Sequence, residues 1–388
     1  MPPTAPGAPR LNTPWTGPPA DPALIAADGI SVAAWRALSP TAYEFDLAPD
    51  PVANTTVILD VGLAAGCAGR ALDFYIRWKY GTVVPRYPIG AGSVLNVWVS
   101  QAAPWDAWTP LAPTLAGDFD AGLQRLRIRL PALPGDARRV AVIPPYTNGS
   151  LDADVALWTA GLPAGTLTAT TIGTSVQGRP VTRYTVTQGG TKAIYLQRAG
   201  HPNERWRDYF MQGMLAWLCS PAGATARGRA IWHVVVRPSP DTWANGWARC
   251  NAAGIEQNRW NGSLALDGPE QWAVRQDILA IKAAQNLRTF VDLHTSGDWN
   301  GEILVYTPGS DFSQVPLATF DTQAWYKPVE AENWSGITNW SMRVAKNVLG
   351  VPHTGMIDTG GKAPQSIARM REAGTAFAQA FDAWLATH

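Results

Sequence analysis

The sequence predicts two domains, an N-terminal antiparallel β-sandwich followed by an α/β domain with a mixed central sheet. Three observations carry this reading. The chain's 388 residues exceed one small domain, and two is the natural division. Between about residues 40 and 145, short stretches of alternating apolar and polar residues succeed one another with Pro- and Gly-rich turns and no convincing helix. From about residue 165 onward, apolar runs alternate with helical stretches, as expected of strands covered on both faces.

Residues 1–35 form a proline-rich arm without the basic and apolar regions of a signal peptide. The sandwich domain is expected over 36–160. In "ALDFYIRWKYG", Leu72, Phe74, Ile76 and Trp78 alternate with Asp73, Tyr75, Arg77 and Lys79, the period of a half-buried strand. "RLRIRLP" alternates Arg125, Arg127 and Arg129 with Leu126, Ile128 and Leu130, and "YEFDL", "VILDV", "VLNVWVS" and "RRVAVIPPY" are further short strands. The α/β domain is expected over 161–388. Its strands are "TKAIYLQ", "AIWHVVV", "TFVDL" and "EILVY"; its helices are "WRDYFMQGMLAWL", "QWAVRQDILAIKAAQ" and "QSIARMREAGTAFAQAFDAWLA". In the last, Ile367, Met370, Ala373, Phe377, Phe381 and Leu385 recur at helical spacing.

Composition narrows the function. A formal net charge of +1 offers no basic field for nucleic acid, and no run of about 18 apolar residues suits a membrane helix. Cys67, Cys219 and Cys250 are odd in number and far apart, which fits free thiols in a reducing compartment and a cytoplasmic protein. The 19 tryptophans supply large amphipathic surfaces for core or pocket walls.

The chemistry begins at "RAGHPNERW", where His201 and Glu204 follow an apolar strand and precede a helix. Open α/β sheets present ligands at such carboxyl ends. The pair alone fits a polar turn as readily as a metal site. A second strand, "RTFVDLHTSG", delivers His294 just past its apolar run, with Asp292 two residues before it as a group to orient a ligand. Two imidazoles, a carboxylate and an open fourth position compose a catalytic zinc site. Between these ligands, "RPSPDTWANGWARCNAAGIEQNRWN" carries Arg249, Asn258 and Arg259, and a planar guanidinium suits carboxylate recognition. His233, inside "AIWHVVV", reads as a core or sheet histidine.

In order along the chain, these segments resemble the M14 zinc carboxypeptidases, and within them the cytosolic-carboxypeptidase-like subgroup. "TSVQGRPV" is similar to the family's S-x-x-G-R-x-V, "GHPNE" to H-P-x-E, "PSPDTWANGWARCNAAGIEQNR" to its N-P-D-G…D-L-N-R run, and "DLHTS" to D-L-H. "IPPYT" resembles the P-Y-T that closes the family's N-terminal β-sandwich. The resemblance covers most of the chain. It implies zinc bound by His201, Glu204 and His294, with Arg249 polarising the scissile carbonyl and stabilising the oxyanion. It further implies Asn258 and Arg259 on the terminal carboxylate of a peptide or protein tail, whose last bond is cleaved by zinc-activated water.

Three departures stand out. "MIDT" occupies the place of the family's T-L-E-T, so Asp358 takes the position of the glutamate base with a shorter side chain. Capping of the following Gly-Gly turn is its structural alternative, and His353, five residues earlier, reads as a buried histidine. Glu256 and Gln257 stand where Asp and Leu are usual, and "SPD" replaces "NPD". Side-chain specificity is not encoded plainly: Lys327, Arg343 and Lys362 suit an acidic substrate as well as a solvated surface, and Trp243, Trp247, Trp260 and Trp299 read as core or pocket wall. Two other functions fit the same residues, a zinc amidohydrolase of N-acyl amino acids and a catalytically impaired peptide-binding module.

Overall fold

A computed structural model describes residues 23–24, 32–48, 50–52, 59–63, 67, 69–77, 94–95, 97–100, 108–111, 115–120, 125–134, 139–142, 144, 146–198, 200–201, 204, 206–247, 249–294, 303–307, 326–330, 341–359 and 367–387. The chain divides into two units, Met1–Thr147 with Thr242–Ala248, and Asn148–Asp241 with Arg249–His388.

The first unit contains two sheets. One has the order β1 (Ala23–Leu24), β4 (Leu59–Gly62), β11 (Arg139–Val142), β7 (Val97–Ser100), β8 (Trp108–Pro110). The other runs β2 (Val32–Ser39), β3 (Ala42–Leu47), β5 (Leu72–Arg77), β10 (Arg125–Leu130), β9 (Leu115–Asp120), β6 (Val94–Leu95). Alternate residues of both, among them Leu59, Val61, Val97 and Val140 from the first and Phe45, Phe74, Ile76 and Ile128 from the second, enter one buried apolar cluster. The opposite positions carry charge: Arg127 reaches Asp73 at 2.9 Å, and the Arg125 guanidinium lies 4.5 Å from the Tyr75 ring centroid. The strand alternation follows from this division, since one face meets apolar neighbours and the other solvent. Among the described residues, one pairing departs from the antiparallel expectation. β3 and β5 are parallel, because the chain between them passes through β4 of the other sheet and returns in the same direction.

The second unit opens with α1 (Asn148–Ala160) and is built on an eight-stranded sheet. Its order is β12 (Leu167–Thr174), β13 (Pro180–Val186), β15 (Ala230–Val235), β14 (Lys192–Arg198), β16 (Asn286–His294), β19 (His353–Thr359), β17 (Ile303–Thr307), β18 (Tyr326–Glu330). β15, β14, β16 and β19 are parallel neighbours, whereas β12–β13, β13–β15 and β17–β19 are antiparallel. The central sheet is therefore mixed.

Its helices are α2 (Trp206–Leu218), α3 (Ala224–Arg229), α5 (Leu264–Ala284), α6 (Ser341–Asn347) and α7 (Ile367–Leu385), while α4 (Pro240–Ala244) begins in this unit and ends in the first. Ala193 and Tyr195 of β14 share a buried cluster with Val274 and Ile278 of α5 and Met342 of α6. On β15, Trp232 meets Phe381 of α7 edge-on. α2 and α7 approach each other through two glycines: a Cβ on Gly374 would fall 1.8 Å from the Phe210 carbonyl oxygen, and one on Gly213 2.0 Å from that of Arg371. The helical stripe of α7 buries Ile367, Met370, Ala373, Phe377, Phe381 and Leu385, as its spacing predicts. Cys67, Cys219 and Cys250 are buried and in no disulfide, and burial pushes the Cys219 thiol up to about 12.

Candidate metal centre and its surroundings

The carboxyl ends of three adjacent parallel strands meet at one place. His201 stands three residues past the end of β14, His294 is the last residue of β16, and Asp358 is paired with His294 across the β16–β19 ladder. Gly200 allows the first of these turns to form, because a Cβ there would fall 2.3 Å from the Gln257 Cβ.

His201, Glu204 and His294 are all buried, and one potential ligand atom from each lies within 4.8 Å of the others. Both imidazoles turn Nδ1 inward. His201 Nδ1 is 2.6 Å from Glu204 Oε1, and His294 Nδ1 is 3.4 Å from Glu204 Oε2. Their outward nitrogens each meet a carboxylate, His201 Nε2 at 2.5 Å from Glu256 Oε1 and His294 Nε2 at 3.1 Å from Asp292 Oδ2. A metal-ligating histidine commonly has its second nitrogen held in this way, which fixes the tautomer and aims the free lone pair. Burial, and then the Arg249 charge, lower the His201 pKa to about 3, so the ring stays neutral and able to ligate. Two nitrogens and one carboxylate, each set by an outer partner, suit a divalent metal of zinc's type.

Asp292 is itself fixed from two sides. Ser341, at the start of α6, donates its hydroxyl to Oδ2, and Gln197 Nε2 lies 3.4 Å from Oδ1. Burial would raise its pKa, but His294, Ser341 and Arg207 together hold it below the usual carboxylate range.

Arg249 and Glu256 come together through a tight hairpin. Cys250 and Glu256 form an antiparallel bridge, and Asn251 accepts the backbone N–H groups of Ala253 and Ile255 on its side-chain oxygen. Gly254 supplies the positive φ of 78° that the turn requires. Glu256 Oε2 then receives Arg249 Nε at 2.7 Å, while Oε1 accepts the Asn258 N–H at 3.0 Å. Burial opposes ionisation of Glu256, yet His201, Arg249 and that N–H hold its carboxyl well below the ordinary range. Asn258 is buried next to this pair, whereas Arg259 is partly exposed and donates to the Asn258 carbonyl at 2.8 Å.

The segment before the hairpin is clasped by the S-x-x-G-R stretch. Asp241, fully buried, accepts Ser175 Oγ, the Gln177 N–H and Arg179 Nη1, each at 2.7 Å. Two motifs far apart in sequence are therefore one anchoring point.

Other candidates fall elsewhere. His353 lies at the opposite end of β19 from Asp358, buried edge-on to Trp384 at 5.0 Å. His233 is buried between Thr185 Oγ1 at 3.1 Å and Gln285 Oε1 at 2.9 Å, a sheet histidine. Trp243 and Trp260 are buried, the latter donating to Gln271 at 2.8 Å; Trp247 and Arg343 are half-buried. Trp299, Lys362 and the side chains of Lys327 and Asp358 lie outside the described residues. Glu256, Gln197, Ser341 and Arg207 escaped the sequence reading as site residues. Only the family position of Glu256 pointed to one of them.

No family model matches the chain. An uncharacterized protein of Zymomonas mobilis is 31% identical over 108 residues, 27% of this chain, and the chain spans 28% of that curated relative's length. Among solved structures, a metallo-carboxypeptidase from Burkholderia cenocepacia aligns with a TM-score of 0.71 at 18% identity, covering 95% of this chain and 99% of its own. A metallo-carboxypeptidase from Pseudomonas aeruginosa, solved with (2-guanidinoethylmercapto)succinic acid, aligns at 0.70 and 18%, covering 94% and 99%. The chain has the M14-type metallocarboxypeptidase fold. His201, His294 and Asp358 lie at or just past the carboxyl ends of neighbouring parallel strands, where open α/β sheets commonly present ligands.

Proposed function

We propose that this protein is a zinc-dependent metallocarboxypeptidase that removes C-terminal residues from peptides or protein tails. The observation that carries the reading is the convergence of buried His201, Glu204 and His294, with Arg249 held beside them by Glu256. Zinc, held by those three side chains, would supply a Lewis acid for the scissile carbonyl and for water. Arg249 donates to the carbonyl oxygen as negative charge builds on it. Asn258 and Arg259 bind the terminal carboxylate, the guanidinium offering its planar donor pair. Asp358 takes a proton from the attacking water and delivers it to the leaving amine. The carboxylate-bearing ligand of the Pseudomonas neighbour is of the class such a clamp would hold.

The two-sheet N-terminal unit is read as a β-sandwich, the subgroup as the cytosolic-carboxypeptidase-like one and the compartment as the cytoplasm. No helix among the described residues is long and apolar enough to cross a membrane. A second reading, a peptide-binding module without turnover, is favoured only by aspartate standing at the position of the base. Zinc content by elemental analysis, with hydrolysis of a C-terminal peptide library, tests the proposal. Release of terminal residues from peptides longer than two residues supports it over an N-acyl amino acid amidohydrolase. Zinc without hydrolysis of any peptide supports the binding module.

A further inference from the structure

Arg207 lies on the second residue of α2, three residues beyond Glu204, and its side chain is fully buried. Its Nη2 pairs with Glu204 Oε2 and its Nη1 donates to the carbonyl of Leu293, the residue before His294. One guanidinium thus joins the two segments that between them carry all three proposed ligands. The neighbouring acid on α2, Asp208, is engaged by Arg198 at 2.8 Å. Arg207 also bears on Asp292, whose carboxyl its charge helps to hold down, but its ion pair is with Glu204, the same carboxylate that a metal must share.

A fully buried cation requires an anionic partner, and removing either member of a buried pair leaves the other uncompensated. Without metal, Arg207 and Glu204 satisfy each other. With metal, Glu204 divides its charge between two cations, and those cations repel in a site of low dielectric. We infer that Arg207 is a built-in counter-cation: it keeps Glu204 assembled in the metal-free site and competes with the metal for it, so that the metal is held less tightly than the three ligands alone would hold it. The inference rests on the metal-centre reading given above. Arg207 is a positioning residue, since its contacts are with a ligand and a backbone carbonyl.

The sign of the effect separates this role from simple support. Were Arg207 only a prop for Glu204, its removal would weaken metal binding by about 10–100-fold, as loss of an outer partner does. As a competitor, its removal must tighten binding. The experiment is competition of purified full-length protein with a chromogenic chelator for zinc, with thermal melting of the metal-free and zinc-loaded forms. Arg207→Met is expected to bind zinc at least tenfold more tightly than wild type, to melt lower when metal-free, and to show a larger rise in Tm on adding zinc. Arg207→Lys, which keeps the charge, is expected to stay within about threefold of wild type. If Arg207→Met does not fold, Arg207→Gln is measured in its place, keeping a donor for the Leu293 carbonyl without the charge. Zinc affinity equal to or weaker than wild type in the neutral variant overturns the inference and leaves the metal centre standing. Absence of zinc binding by wild type overturns the metal centre itself, and the inference with it.

Discussion

Glu256 Oε1 lies 2.5 Å from His201 Nε2, while its second oxygen holds Arg249 at 2.7 Å. One carboxylate thus sets both a proposed metal ligand and the cation proposed for the carbonyl oxygen. Glu256→Ala is expected to weaken zinc binding about 10–100-fold, the usual cost of losing such an outer partner, and to lower kcat as well. Glu256→Gln keeps an oxygen for the His201 N–H but sets an amide N–H₂ against Arg249. It should lose kcat more than zinc affinity. Chelator competition and steady-state kinetics on the two variants check this, and wild-type zinc affinity in Glu256→Ala would remove Glu256 from the centre.

Arg249 and Arg259 are expected to fail differently. Arg249→Ala should lower kcat by about 10²–10³-fold, because it faces charge that exists only as the reaction proceeds. Arg259→Ala should mainly raise KM, since the terminal carboxylate is present in both ground and transition states. Kinetics on free and C-terminally amidated peptides separate the two. Equal rates on both substrates would contradict the exopeptidase reading.

A pH effect on stability follows from His233. Burial lowers its pKa from 6.5 to about 4, with Gln285 opposing the shift and Arg183 adding to it. The unfolded chain therefore binds a proton that the folded chain refuses between those values. Stability contributed by this residue is full above about pH 6.5 and is lost as pH falls toward 4, amounting to roughly 3 kcal/mol in a fully buried case. Denaturant melts of wild type and His233→Gln between pH 4 and 7 measure it as a difference in slope. Parallel pH dependences would contradict the assignment.

The contact between α2 and α7 makes another local demand. Gly374 faces the Phe210 carbonyl so closely that a methyl group requires the helices to separate. Gly374→Ala should cost about 1–3 kcal/mol, the range for overpacking a filled interior. The shift in denaturant midpoint gives the value, and an unchanged midpoint would mean that the two helices have room to move.

Legibility in the sequence followed how local each signal is. α7 buries an apolar stripe at helical spacing, and β14 and β16 carry buried, largely apolar segments, so these elements announce themselves, whereas α2 is buried on nearly every side, Arg207 and Asp208 included. α1 buries only Leu151 and Trp158, too few to print a stripe. β2 exposes all but its first residue, which erases the two-residue period. His201, Glu204 and His294 were readable as candidates because strand ends in an α/β sheet are where ligands gather. Arg207 was not. An arginine after a glutamate reads as a solvated helix charge, and its complete burial arises only when α2 closes over the end of β16. The hairpin that turns Glu256 onto both His201 and Arg249 is likewise a matter of tertiary closure, visible in sequence only as Asn251 and Gly254 at turn spacing.

The base is the sharpest remaining test. Asp358 is paired in parallel register with His294 and in antiparallel register with Leu304, so its backbone runs directly beside a proposed ligand, about 4.8 Å away by ordinary strand spacing. The proposed base therefore stands on the strand next to a proposed ligand, and aspartate has one methylene less with which to reach a water there than the glutamate of the family the sequence resembles. General base catalysis is typically worth about 10²–10⁴-fold. Asp358→Asn should therefore keep its zinc and lose activity on that scale. Asp358→Glu should remain active, and a faster rate in that variant would show that the shorter side chain leaves the water imperfectly aligned. Zinc content and kcat/KM measured on the same preparations decide the matter. Full activity in Asp358→Asn would reject the assignment from "MIDT".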